Sequence, residues 1–549
     1  MLNRIKVLCL LTLSLAVCSA TFADTFTVRK DGSGNFTTIQ AALESLDYNN
    51  GVNDVILIGP GVYDQQFTAN GDAGADSVRY PNVFNMTLAT VEAAYASHPD
   101  SLTLKGENPN DPPVLTYISG ADKTQQPYGM FPSDPSDFFE AGLVHCGNNV
   151  TYENVDIRHG SLGYCMNGMS AGTVFEDCLF TNGTTASQGY DDFWDFNNNI
   201  NITSAVNANI GADNEYTFNN CIWDGESVID QSIFGSTAVY FHGFDSFADP
   251  NTFYQIGGVA ASGCIMRNWG DNIFQPRGRE QKDRGIAYLT IEDCFSQNIP
   301  RVATMHGAME TGLVNRCVFD ISGGDDAIEL SDRDGGLYAT AIIANNIISG
   351  TSASNRSLRL RPNDTAGRTI IQTANWSVVN NTFYGYNGAG ILTDGDVGLA
   401  GSSCTMTIAN NILHGDGGGA AIGVNHTATA TGGTLTINLV NNGFFGNGGG
   451  DVVGTVSSNT GAVNADPAYS DGTALSIPAD TNWGVKPVQQ LNPTGAYLGG
   501  GNDAAYSAIA GTVGAQDVDG SNPRTGGGDG IDIGAQENEP VAVLDWNVY

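Results

Sequence analysis

The sequence predicts an all-β chain wound as a parallel β-solenoid, and three observations carry that prediction. A short polar–apolar unit recurs along the chain, turn residues are abundant while charge is sparse, and amphipathic helical periodicity is almost absent after residue 48. Of 549 residues, 70 are Gly and only 15 % are charged, which suits many short strands joined by turns better than helical modules.

The recurring unit reads Tyr152-ENVDI, Phe175-EDCLF, Phe218-NNCIW, Ala261-SGCIM, Ile291-EDCFS and Val314-NRCVF, then Ala344-NNII, Val379-NNTF, Ala409-NNIL and Val440-NNGF. Marking the residue after each polar pair gives positions 155, 178, 221, 264, 294, 317, 347, 382, 412 and 443, with steps of 23 to 43 residues. A strand–turn–strand unit at such spacing, with insertions in its loops, describes coils of a solenoid. The two 43-residue steps leave room for a second, less regular coil each.

Successive coils stack about 4.8 Å apart, so like residues form ladders along the axis. Asn and Asp at the turn tolerate left-handed backbone angles and can bond to neighbouring turns. The marked position is expected to point inward, where Val155, Cys178, Cys221, Cys264, Cys294, Cys317 and Ile347 would form one ladder. Five cysteines there act as small hydrophobes. A disulfide framework is the alternative in an exported protein. In-register side chains point the same way rather than at each other, which favours buried thiols. No His accompanies the ladder, which disfavours a metal.

At the N-terminus, Arg4 and Lys6 precede an apolar run from Val7 to Val17, and Thr21-Phe-Ala23 offers small residues for cleavage. Residues 1–23 are therefore expected to be a signal peptide and the protein to be secreted, whether extracellular, periplasmic or on the cell surface. No later apolar stretch is long enough to span a bilayer, so no membrane insertion is expected. A net charge of −36 disfavours nucleic acid as a partner. The expected organisation is a solenoid over 24–445 and a C-terminal portion, 446–549, packed on its end or flank, in a monomer.

Both ends of the chain carry a resemblance. Phe26-TVRKDGSGNFTTIQAALESL followed by Val55-ILIGPGVY resembles the opening of pectin methylesterases and, more loosely, of the pectin lyase-like superfamily. Asn464-ADPAY and Asp517-VDGSNPRTGGGDGIDIGAQE resemble the C-terminal portion of secreted bacterial β-helix proteins. The resemblance implies a single-stranded right-handed parallel β-helix with a short N-terminal capping helix, here Thr38 to Leu46. Of the esterase motifs, Asp230-QSIFG is similar to the nucleophile motif with one extra residue, and Arg361-PNDTAGRT to the arginine motif without its tryptophan. No Gln-Asp-Thr acid motif occurs; Gln188-GYDD is a distant echo. Ala327-IELSD, Ser357-LRLRPND and Gly390-ILTDG are similar to groove strands of β-helical lyases acting on uronate polymers, without the lysine some of those enzymes carry.

The cations are not spread evenly. No Lys or Arg occurs from His159 to Met266, whereas twelve fall between Arg267 and Arg368, against 13 acids in the same window. A concave groove with such a cluster suits an anionic ligand; the alternative is that these arginines pair with the interspersed acids and bind nothing. If Met305, Leu330 and Leu360 share an inward ladder, one exterior row reads Thr304, Glu329, Arg359 and the next His306, Ser331, Arg361, Asp394, Asn425.

That constellation fits β-elimination on a uronate polymer, in which the substrate carboxylate is neutralised and a base removes the adjacent proton. The candidate catalytic residues are Arg361 or His306 as base, Arg359 as carboxylate partner, and Glu329. Arg277, Arg279, Lys282, Arg333 and Asp394 are candidate substrate contacts, and Trp194 and Trp269 are candidate sugar-stacking residues. Ca²⁺ is the candidate cofactor, with Asp326, Glu329, Asp332 and Asp334 as ligands. Hydrolysis by paired carboxylates has Asp325, Asp326 and Glu329 available, and esterase chemistry follows from the motif likeness. The remaining reading is a non-catalytic β-helix of a surface, matrix or adhesive layer. The expected partner of an enzyme built this way is an anionic polysaccharide.

Overall fold

The structure is a computed structural model. It describes residues 23, 25–43, 45–46, 51–63, 67–68, 101–116, 144–146, 150–158, 166–168, 173–181, 200–204, 215–224, 239–243, 255–268, 272–277, 285–306, 308–321, 326–331, 340–350, 356–364, 371, 373–469, 495–497, 501–514, 517 and 532–535. Among these the chain builds three long sheets, of 14, 12 and 12 strands, and one two-stranded sheet. Thr25–Val28 and Asp54–Ile58 pair in the first sheet; from there on, successive strands of the long sheets fall in different sheets, and each sheet is rejoined one coil later in parallel register. One such coil consists of Thr340–Ala344, Ile347–Gly350 and Arg356–Arg361. The protein is a parallel β-helix. Among the described residues no helix is long and apolar enough to cross a membrane.

The corner between the first and second sheets explains the repeat. Asn154, Asp177, Asn220, Gly263, Asp293, Arg316, Asn345, Asn380, Asn410 and Asn441 all adopt left-handed angles there, with φ between 50° and 66°. Asn, Asp and Gly take this conformation at least cost. Arg316 is the bulky exception, and its guanidinium pays for itself locally, pairing with Asp293 at 2.8 Å and donating to the Val513 carbonyl at 2.9 Å.

The residue after each left-handed corner points into the core. Val155, Cys178, Cys221, Cys264, Cys294 and Cys317 are all buried there, and the five cysteines are free thiols. Beyond Cys317 the expected phase is one residue out. Val318 pairs with Ile347, so Cys317 is followed on the ladder by Asn346, not Ile347, and the later members are Asn381, Asn411 and Asn442. Ile347 is instead buried outside the coil with Phe295, Val318 and Ala535. The slip arose because an interior Asn reads as a turn residue.

These four asparagines satisfy one another. Each Nδ2 donates to Oδ1 of the next, at 2.9, 2.9 and 3.0 Å from Asn346 through Asn442, and also to a backbone carbonyl. Each Oδ1 in turn accepts the backbone N–H of the preceding ladder residue, beginning with Cys317. Buried amides with every group paired stiffen a core rather than weaken it. Aromatic ladders fill the earlier coils: Tyr152, Phe175 and Phe218 stack at 5.2 and 4.9 Å, and Phe180 on Trp223 at 5.1 Å.

The helix near the N-terminus spans Ile39–Leu43, and Ile39, Ala42 and Leu43 are buried in the main core. Strand pairing runs past Phe445, through Gly450–Val453 and Ser458–Thr460. The short helices Asp503–Ser507 and Ala510–Val513 set Tyr506, Ile509 and Val513 against Leu313, Ile342, Ala344, Val379 and Ala409. Outward apolar residues on the first sheet are thereby covered by later chain.

Candidate functional site

The third sheet carries the candidate site. Its strands Asn272–Arg277, Arg301–His306, Asp326–Ser331, Arg356–Arg361, Ala389–Thr393 and Ile422–His426 are neighbours in that order. Met305, Leu330 and Leu360 form the inward ladder anticipated from the alternation, all buried. One outer row then runs Thr304, Glu329, Arg359. A second runs through the backbone positions of Arg277, His306, Ser331 and Arg361. Asn425 belongs elsewhere than expected: it pairs with Leu392, which pairs with Arg359, so it extends the Arg359 row. Its strand is aligned by Ile391 on Val424, a register the alternation alone could not set.

Arg359 is saturated with carboxylates. Its Nε and Nη2 clamp Asp394 at 3.0 and 2.6 Å, and its Nη1 lies 3.3 Å from Glu329 and 3.8 Å from Asp326. The four side chains are only 17, 22, 7 and 1 % exposed respectively, so water screens this cluster little. The carboxylates raise the guanidinium's pKa, hydrogen bonding to Asp394 foremost. Arg356 in turn holds Asp326, with Nε 2.6 Å from Oδ1. Burial nevertheless pushes the Asp326 carboxyl up to about 6, against the pull of Arg356, Arg359 and Arg301. The arginines that the sequence gathers at 356 and 359 thus neutralise buried acids.

Arg361 differs. Among the described residues its guanidinium has no ion-pair partner, and its Nε is buried without a hydrogen-bond partner. Gly395, at φ +109°, lies beneath it: a Cβ there would come within 3.1 Å of Arg361 Cγ and 2.5 Å of the Pro362 carbonyl oxygen. Only glycine gives the arginine stem this seat.

Several expected residues lie outside the described residues: Arg279, Lys282, Arg333, Trp194, Trp269, Asp325, Asp332, Asp334, and the segments Gln188-GYDD and Asp230-QSIFG. Arg277 and His306 are placed by backbone register alone. Of the expected Ca²⁺ ligands, Asp326 and Glu329 are present, and both are engaged by guanidinium groups. A divalent cation there would face two arginines, so this part of the donor set does not fit Ca²⁺. Among the described residues no three metal-ligating side chains come together. Asp326 and Glu329 are also too enclosed to serve as an exposed acid–base pair.

Sequence reasoning missed one polar pair on this sheet, Thr393 and His426, whose Oγ1 and Nδ1 are 2.6 Å apart. The available signal was a Thr at an inward position otherwise filled by Met and Leu.

No protein-family model matches the sequence, and no curated protein does. Solved structures with a similar chain path include the pectate lyase Pel9A, with 12 % identity, 94 % of this chain and 98 % of that one covered, and a TM-score of 0.42. A mannuronic acid specific polysaccharide family 6 lyase from human gut microbiota has 12 % identity over 79 % of this chain and 91 % of that one, at 0.38. The A-module of the mannuronan C-5 epimerase AlgE6 of Azotobacter vinelandii has 12 % identity over 69 % and 94 %, at 0.30.

Proposed function

We propose that the protein binds an anionic, uronate-containing polysaccharide along the outer face of the third sheet and cleaves it by β-elimination. The observation that carries this reading is Arg361, a guanidinium with no carboxylate partner among the described residues, on the coil where Arg356 and Arg359 are both neutralised. It shares a row with the backbone positions of Arg277, His306 and Ser331, at about 4.8 Å per rung. In this reading Arg361 takes the substrate-carboxylate role first considered for Arg359. Pairing with the carboxylate acidifies the neighbouring C–H, and His306 removes that proton. The electron pair forms a carbon–carbon double bond, the bond to the glycosidic oxygen breaks, and that oxygen leaves with a proton from solvent. Secretion by a signal peptide over residues 1–23 belongs to the same proposal.

A specific observation favours a second reading, a non-catalytic β-helix: two of the three clustered arginines serve buried acids. A panel of polygalacturonate, alginate and sulfated glycans, followed by absorbance of unsaturated uronate, separates the two. Turnover by the parent and its loss in Arg361→Ala, with Arg316→Ala active, supports the lyase. Absence of unsaturated product from every polyuronate overturns it.

A further inference from the structure

Asp394 stands beside one arginine and is held by another. Arg359 pairs with Leu392 and Leu360 with Thr393 on the next coil, and the Asp394 N–H bonds the Leu360 carbonyl at 3.2 Å. That register sets the backbone of Asp394 alongside Arg361, one rung or about 4.8 Å away. Leu360 and Thr393 point inward and are buried, so the residues that follow them, Arg361 and Asp394, share the outer face of the sheet. An aspartate so placed is a natural partner for Arg361. Both of its oxygens nevertheless go to Arg359: Oδ1 accepts from Nε at 3.0 Å and Oδ2 from Nη2 at 2.6 Å.

The geometry of the fork accounts for the choice. A guanidinium offers two parallel N–H donors to a carboxylate, which fixes the carboxylate's direction as well as its distance. Arg359 is itself anchored from the preceding coil, by Glu329 at 3.3 Å and Asp326 at 3.8 Å. Arg361 has no such anchor: its stem runs over Gly395, where a Cβ would come within 3.1 Å of Arg361 Cγ. The Arg361 side chain therefore passes beside the Asp394 main chain while the Asp394 carboxylate is committed to Arg359.

The charges on the two coils show what Arg359 prevents. Arg356 and Arg359 serve three carboxylates, those of Asp326, Glu329 and Asp394. Without Arg359, the guanidinium that the register puts next to Asp394 is that of Arg361. An ion pair between them would occupy the group that a substrate carboxylate requires.

We propose that Arg359 is a positioning residue for the glycan site: it holds Asp394 in a bidentate clamp and so keeps Arg361 open to the carboxylate of a uronate. This rests on the anionic-glycan reading and deepens it, because Arg359 then governs the affinity of the site without touching the substrate. Its neutralisation of buried acids and its service to Arg361 are separable, since the first concerns Asp326 and Glu329 and the second Asp394.

The test measures dissociation constants for polygalacturonate, polyguluronate and polymannuronate by affinity electrophoresis in the cold. Arg361→Ala should weaken binding of the polymer that the parent takes by about tenfold or more. Arg359→Ala should weaken it by about fivefold, because Asp394 then competes for Arg361. Adding Asp394→Asn, which keeps the shape and removes the charge, should return Arg359→Ala to within about twofold of the parent. Urea midpoints supply the control: the double variant should stay destabilised, since Asp326 and Glu329 still lack Arg359. Recovered binding is then not a recovered fold. Arg359→Lys keeps a charge facing those two acids but loses the fork, and should bind between the parent and Arg359→Ala. Asp394→Asn should rescue it as well, and this pair decides the matter if Arg359→Ala does not fold. If Asp394→Asn fails to rescue them, or if they bind as the parent does while Arg361→Ala binds weakly, the inference is overturned and the glycan reading stands. If Arg361→Ala binds as the parent does, or the parent binds none of these polymers, both are overturned.

Discussion

Replacing Arg359 with Ala separates the structural and functional accounts of the arginine cluster. The substitution leaves Asp326, Glu329 and Asp394 without the guanidinium that faces all three. In surroundings of effective dielectric constant about 20, a charge pair 4 Å apart interacts by about 4 kcal/mol. Asp394 is the most exposed of the three and can rehydrate, but Asp326 and Glu329 are enclosed. Breaking a buried pair by removing one partner costs about 3–5 kcal/mol, and we expect a loss near the lower end, about 3 kcal/mol. Arg361→Ala, which breaks no pair among the described residues, should cost under about 1 kcal/mol. Because long repeats unfold piecewise, the measurement is native-state hydrogen exchange of the strand Arg356–Arg361 alongside urea midpoints.

Acidification supplies an internal check. The Asp326 carboxyl already has its folded pKa raised to about 6, above the ordinary carboxylate range. A raised folded value means that proton uptake favours the folded state, and removing Arg359 raises it further. The deficit of Arg359→Ala should therefore shrink as pH falls from 7 toward 5. A loss below about 1 kcal/mol, or a deficit that grows on acidification, would refute the view that Arg359 is held to neutralise buried acids.

Three further outcomes follow from the same structure. Cys178, Cys221, Cys264, Cys294 and Cys317 should resist thiol reagents in the folded protein and react on unfolding, as counted by mass spectrometry after alkylation; linked pairs would contradict the ladder. Asn381→Ala removes the acceptor for two Asn346 groups and the donor to Ile343 and Asn411, and should cost at least about 3 kcal/mol, against under about 0.5 for exposed Asn375→Ala, by urea midpoint. His414 is enclosed by Tyr384, Phe445 and Tyr469, and burial lowers its pKa against the opposing pull of Asp466. A depressed folded pKa gives stability that is full above about 6.5 and lost as pH falls toward the folded value. Limited proteolysis near Tyr469 should accelerate between pH 7 and 5 in the parent and not in His414→Phe.

The parallel coil architecture was legible in the sequence because a left-handed corner admits few residues. Asn154, Asp177, Asn220 and their successors recur for a backbone reason, and the thiols after them follow from the same turn. Alternation along a strand likewise placed Met305, Leu330 and Leu360 inside and Glu329 beside Arg359. The phase of the later coils was not legible. An asparagine in a core looks like a turn residue until its neighbours 30 or 35 positions away are seen to complete its hydrogen bonds. The charges of the site were beyond reach for a related reason. Sequence counts twelve cations against 13 acids, but whether a guanidinium is spent or free depends on distances across coils. Asp394 is 35 residues from Arg359 and clamps it, while Arg361, two positions on, has no such partner among the described residues. Periodicity determined the coil, because backbone geometry is local. Only the tertiary structure decided which charges cancel, because Coulomb energy depends on separation in space and on the water excluded between the coils.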